Sequence, residues 1–182
     1  MYTREMVHEP LENLIGDYSS FFSDIYSELK EKGIDIGSYS LSHFGVRAET
    51  DAAYETLRDS IKHYCESYVE NEHNGRLISK LYLQRALPLP HNFEVQLIEL
   101  MPPKPSRTYA PGLEHLGVVI GETLREFTKE HERVISGRQD QGPFCKPYII
   151  ELKNDKRVKF YDLSLKEVVE KEGHVFKLIK TV

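Results

Sequence analysis

The chain has 182 residues, enough for one compact domain or two small modules sharing a core. A net charge of -5, a pI near 5.9, a hydrophobic fraction of 40% and a mean hydropathy of -0.48 are ordinary for a soluble globular protein. No dense Lys/Arg cluster occurs, which argues against DNA or RNA as a partner. No window approaches the uninterrupted apolar run needed to cross a bilayer, and the Met-Tyr-Thr-Arg start lacks the apolar core of a signal peptide. Cys65 and Cys145 are too few for a disulfide framework and fit a reducing compartment, so the expected location is cytoplasmic.

The first segment reads as a helix. Leu11, Leu14, Ile15, Tyr18, Phe21, Phe22, Ile25, Tyr26 and Leu29 recur at three- and four-residue steps and form one apolar stripe. Pro10 suits its opening turn and Gly33 its end, so residues 1–34 are expected as an N-terminal helix packed on the core. Residues 40–48 alternate as a strand does. Thr50 then caps a helix whose buried side is marked by Tyr54, Leu57, Ile61, Tyr64, Cys65 and Tyr68. Asn74-Gly75 is a strong two-residue hairpin signal, followed by strands over 77–83 and 93–100. Residues 35–101 thus predict a β-α-β-β-β module.

Residues 102–112 form the connector, within a stretch from Met101 to Leu113 that holds four prolines and a glycine. The pattern then restarts: a strand over 113–120, a helix over 122–134 and an irregular loop over 136–143. Strands over 148–152 and 157–161 are joined at Asn154-Asp155, and a short helix covers about 164–171. Residues 113–182 are the second module, and the fold class is α+β.

The restart is visible in the letters. Leu41-Ser-His-Phe-Gly-Val46 matches Leu113-Glu-His-Leu-Gly-Val118. Alternation along a strand puts His43, Gly45 and Arg47 on one face and Phe44, Val46 and Ala48 on the other. His115 and Gly117 share a face in the second copy. If the two modules pair about a pseudo-twofold axis, both imidazoles point into one concavity, an arrangement that suits a divalent cation. Glu99 is a third candidate. It sits near the end of the apolar strand Glu94-Val-Gln-Leu-Ile-Glu-Leu100, where a buried carboxylate needs a cation or a hydrogen-bond donor. Two histidines and one carboxylate with open positions suit Fe, Zn, Mn, Co or Ni. The alternatives are ordinary hydrogen-bonded strand histidines and a surface acid at a strand end.

At these residues the chain resembles the YecM family of the vicinal-oxygen-chelate superfamily. Ser42-His-Phe-Gly-Val-Arg47, Asn74-Gly-Arg-Leu-Ile78, Val95-Gln-Leu-Ile-Glu-Leu100 and Gly112-Leu-Glu-His115 carry the resemblance, which covers most of the chain. It implies paired β-α-β-β-β modules forming an incomplete barrel with a cleft. Superfamily relatives are isomerases, epimerases, dioxygenases, lyases and resistance proteins that use a metal to chelate vicinal substrate oxygens. The metal positions fall on His43, Glu99 and His115. The fourth is ambiguous: analogy with Ile98-Glu-Leu100 points to Asp162, while Tyr161 offers a phenol instead.

Arg47, on the face of His43, is a candidate for binding a substrate carboxylate, with a structural salt bridge as the alternative. Arg76 is a second candidate, although arginines beside turns usually sit in solvent. Glu114, next to His115, is expected on the opposite face in a structural role. Tyr82 and Tyr109 are candidates for lining the cleft or for packing, and the remaining histidines show no matched spacing. Two functions fit this reading. One is a metal-dependent isomerase, epimerase or oxygenase acting on a small oxygenated metabolite. The other is a non-catalytic protein that binds a small ligand in the same cleft. A homodimer is left open.

Overall fold

The computed structural model describes residues 10–73, 75–105 and 110–179, so His8, Asn74 and Tyr109 lie outside the described residues. The expected single N-terminal helix is two: α1 (Leu11–Ile15) and α2 (Tyr18–Glu31). Gly16 at φ +99° breaks the spiral, and the Asp17 side chain starts the next helix by accepting from the Ser20 N–H. Apolar spacing alone runs across this break without registering it. The apolar stripe of α2 buries Phe21, Phe22, Ile25 and Leu29.

The remaining elements are β1 (Ser40–Arg47), α3 (Asp51–Lys62), β2 (Cys65–His73), β3 (Arg76–Leu89) and β4 (Phe93–Met101). They continue as β5 (Gly112–Val119), α4 (Leu124–Glu130), β6 (Gly137–Arg138) and β7 (Tyr148–Glu151). The chain closes with β8 (Arg157–Tyr161), α5 (Leu165–Lys171) and β9 (Lys177–Leu178). Thr50 caps α3 as expected, accepting from the Ala53 N–H at 3.0 Å. That helix stops at Lys62, so Cys65 and Tyr68, expected on its buried side, belong to β2. Both periods bury Ile61 and Cys65, and the apolar pattern carries no mark of where one gives way to the other. The β7–β8 turn passes through Asn154 and Asp155, both at φ +57°, a conformation these two residue types tolerate best after glycine.

One open nine-stranded sheet runs β6-β7-β8-β5-β1-β4-β3-β2-β9. The α+β class and the pairing of two four-stranded groups are as expected. In each group the first and last strands are parallel neighbours, β1 with β4 and β5 with β8. The groups join where β1 and β5 run antiparallel. Phe44, Val46, Ile98, Leu100, Leu116, Val118, Val158 and Phe160 line one sheet face and are fully buried. Phe21 of α2 meets Phe44 edge-on at 6.0 Å, and Phe127 of α4 lies 4.8 Å from Phe160. Each such side chain contributes about 1.5–3 kcal/mol by leaving water.

The opposite face is concave and polar. After β8 the chain forms α5 and ends as β9 on the outer edge of β2, pairing Ser67 with Leu178. Because β8 and β2 stand far apart in the sheet order, the segment between them crosses the open face. Ser164 starts α5 with a reciprocal capping box to Glu167, and Leu165, Val168 and Val169 of α5 face the space beneath. Among the described residues no helix is long and apolar enough to cross a membrane.

Candidate metal centre

The β1–β5 register sets His43 opposite Gly117 and Gly45 opposite His115. The two glycines are there for space. A Cβ on Gly45 would stand 2.1 Å from His115 Cε1, and one on Gly117 would stand 2.6 Å from His43 Cε1. Each imidazole therefore lies across the bare backbone of the facing strand. The rings meet nearly perpendicular, at 86°, with their Nε2 atoms 3.2 Å apart and no solvent exposure. Glu99 faces Gly45 across the parallel β1–β4 pair. Its Oε2 is 3.2 Å from His115 Nε2 and 3.7 Å from His43 Nε2. Among the described residues these three form the one His/Cys/Asp/Glu group that could hold a metal ion.

This donor set fits such an ion. Two nitrogens about 2.1 Å from one tetrahedral metal are about 3.4 Å apart, and slightly closer at an octahedral angle. Without a cation, two buried imidazole nitrogens and a carboxylate converge with too few protons to satisfy every pair. Burial holds His43 well below the usual histidine range, with the charges of His115, Lys159 and Lys80 adding to the effect and Glu99 opposing it. A neutral imidazole is the form that ligates. Burial disfavours the Glu99 carboxylate, but the His115 hydrogen bond and the charges of His43 and Lys159 outweigh this and keep its pKa well below normal.

Two β-bulges support the imidazoles from behind. Ser42 is the extra residue of β1 between the Leu41 and His43 pairs, and Glu114 is the extra residue of β5 between the His115 and Leu113 pairs. A bulge turns two consecutive side chains to one side. The Ser42 hydroxyl accordingly lies 2.8 Å from His43 Nδ1 and accepts from the Leu165 N–H at 2.8 Å. Glu114 Oε1 lies 3.5 Å from His115 Nδ1, which has no closer hydrogen-bond partner. The expected outward, structural Glu114 is thus corrected, because strict alternation fails at the bulge. Its carboxylate is gripped by Arg47 at 2.8 and 3.1 Å. The nearby His115 ring and the Arg47 hydrogen bonds outweigh the cost of burial and hold its pKa far below the carboxylate range.

Arg47 also donates to the Pro102 carbonyl at 2.8 Å, so the salt-bridge alternative describes its fork. Arg76 lines the cavity on the open face, and its Nη1 is buried with no hydrogen-bond partner among the described residues. Asp162 lies beyond the end of β8 and is exposed. Tyr161 is buried, its ring 5.5 Å from that of His43. The register sets neither of them in the place matching Glu99. Glu99 pairs with Gly45, and the residue pairing with the matching Gly117 is Lys159. Tyr82 hydrogen-bonds Gln96 in a separate hollow. Ser42, Lys80 and Lys159 were not singled out by sequence. The bulge that makes Ser42 a partner leaves no pattern, while the repeat, carried through to its last strand by pairing rather than by local likeness, would have found Lys159.

The family model for the YecM protein matches residues 10–156. The chain belongs to the YecM family. In fold, this YecM-family chain is similar to the structural-genomics structure Protein EC4020, with a TM-score of 0.73 and 22% identity over 92% of this chain and 99% of that one. More distant is a structure described as a "putative dioxygenase from Bacillus subtilis subsp. subtilis str. 168", with a TM-score of 0.46 and 10% identity over 72% and 43% of the chains. A mutant of the fosfomycin resistance protein FosX from Listeria monocytogenes, complexed with Mn(II) and 1S,2S-dihydroxypropylphosphonic acid, gives 0.28 and 13% over 73% and 97%. No curated protein matches the sequence.

Two outcomes follow from the geometry. Gly45→Ala drives a methyl into the His115 ring, so denaturant unfolding should show a loss of about 3 kcal/mol, at the upper end of overpacking costs. A midpoint equal to wild type would contradict the close approach. In acid, the unfolded chain protonates its histidines near 6.5 and its carboxylates near 4.5, whereas folded His43, Glu99 and Glu114 take up protons only at lower pH. The unfolded state then binds more protons, so the melting temperature of metal-free protein should fall as pH drops below 6.5, and fall further below 4.5. A flat profile from pH 7 to 4 would contradict it.

Proposed function

We propose that this YecM-family chain is a divalent-metal enzyme of the vicinal-oxygen-chelate type, isomerising, epimerising or oxygenating a small oxygenated metabolite. His43, Glu99 and His115 would hold the ion, and a donor set of two imidazoles and one carboxylate suits Zn, Fe, Mn, Ni or Co. The observation that carries the reading is the convergence of two fully buried Nε2 atoms, 3.2 Å apart, beside Glu99.

A bound cation would supply Lewis-acid polarisation of adjacent substrate oxygens. The chain supplies the rest. Ser42 and Glu114 fix the orientation of the two rings through Nδ1, as outer partners of metal-ligating histidines do. Of the three ligands, Glu99 alone lines the cavity, so substrate would approach from its side. The cavity is about 230 Å³, the size of a small metabolite rather than a polymer segment. Tyr161, whose phenol burial and Glu99 keep protonated, packs its ring against His43 and would offer the centre a neutral hydrogen-bonding group. Two free, buried thiols agree with a reducing, cytoplasmic setting.

Elemental analysis of protein purified without an affinity tag tests the ion. The expected result is about one transition metal per chain, lost in both His43→Ala and His115→Ala. Metal-free wild type that acquires no ion on addition of Zn, Fe, Mn, Ni or Co would favour a non-catalytic binding protein. Metal retained at wild-type levels in both variants would place the ion elsewhere.

A further inference from the structure

The cavity on the open face holds more positive charge than its own acids neutralise. Arg47 is paired with Glu114 at 2.8 Å, and Arg157 reaches Glu151 at 3.7 Å. Asp140 is taken by Lys146 at 3.0 Å, and Glu99 belongs to the two imidazoles. What remains on the walls is Arg76, Lys80, Lys104 and Lys159, four cations facing the carboxylates of Glu172 and Glu99.

Two of these cations stand where an ammonium is costly. Lys80 and Lys159 are each 4% exposed. Lys80 donates to Asn71 Oδ1, and among the described residues neither ammonium lies within 4.0 Å of a carboxylate oxygen. Fully buried lysines are rare unless paired or ligand-bound. Burial lowers the pKa of both, with Glu99 pulling the other way. Their positions are set by the sheet. Lys80 pairs directly with Glu99 across β3–β4, and Lys159 pairs with Gly117, the glycine under the His43 ring. Both lysines thus line the same cavity as Glu99 and feel its charge. Arg76 lies four residues along β3, about 13 Å away by strand rise, with its Nη1 buried and unpartnered among the described residues.

We propose that Lys80 and Lys159 bind an oxyanion, a carboxylate or phosphate group carried by the substrate, with Arg76 marking the outer reach of the same ligand. This deepens the proposed function and rests on it for the ligand's other end, the oxygens presented to the His43, Glu99 and His115 centre. A divalent ion there adds two positive charges against the single negative charge of Glu99, so the floor stays cationic when loaded. The ligand class is therefore an oxygen-rich small molecule with at least two negative charges, not a neutral sugar or alcohol.

The test uses calorimetric titration of the full chain at low ionic strength, with inorganic phosphate and malonate as separate probes, on metal-free and metal-loaded protein. At least one probe should bind the metal-free protein and raise its melting temperature, and the probe that binds more tightly names the substrate's charged group. Lys80→Met and Lys159→Met should each weaken binding about tenfold or more, as expected for a charge-assisted hydrogen bond, while Lys159→Arg retains it. Lys159→Met should also melt higher than wild type, because it removes a buried charge, so lost binding is not lost folding. His115→Ala, which should empty the metal centre, should still bind the anion when metal-free. Failure of the metal reading is thus distinguishable from failure of this one. Binding of neither probe in either form of the protein, or unchanged binding in both methionine variants, would overturn the inference.

Discussion

The site depends on one reciprocal contact: each imidazole lies on the other strand's glycine. His43 covers Gly117 and His115 covers Gly45. Any side chain at either glycine would lift a ring away from the point where the two Nε2 atoms converge. The same contact fixes the β1–β5 register. A slip of one residue would turn the histidines toward the apolar layer and Phe44 and Leu116 toward the cavity. Packing on one face and chemistry on the other thus enforce the same alignment.

Around that contact the chain arranges charge with little help from solvent. The residue before each histidine, extruded by a bulge, reaches the Nδ1 of its neighbour: Ser42 in one half and Glu114 in the other. The two supports differ in strength. Ser42 is a neutral hydroxyl tied to the start of α5, whereas Glu114 is a carboxylate clamped by Arg47. The imidazoles are therefore not electrostatically equivalent, and His115 faces carboxylates at both ring nitrogens. Opposite Glu99, where symmetry would place a second acid, stands Lys159. The symmetry of the backbone carries an asymmetric set of charges.

Much of this was legible in the sequence. The duplicated Leu-x-His-x-Gly-Val run contained both histidine-bearing strands and their glycines, and Glu99 stood out as an acid in an apolar strand. What escaped was whatever depends on pairing between distant segments. Glu114 was set on the opposite face because alternation assumes an unbroken ladder, and a bulge leaves no mark in hydrophobicity. Local likeness of Tyr-Asp-Leu to Ile-Glu-Leu points to Asp162, with Tyr161 as the alternative, while the register with β5 sets Lys159 in the matching place. Lys80 and Lys159 look like surface lysines in the letters, and the fold buries them in the cavity that α5 also lines. The break at Gly16 and the two-residue β9 were likewise too local for a periodic pattern to register.

The central claim is that two imidazoles and one carboxylate from three strands bind one ion. X-ray absorption at the metal edge of protein loaded with a single equivalent of Zn tests it most directly. The expected spectrum shows scattering from two imidazoles among N/O ligands at about 2.0–2.1 Å, a signature that His115→Ala, which holds no ion, lacks. A thiolate shell near 2.3 Å, or a spectrum unchanged by that substitution, would contradict it.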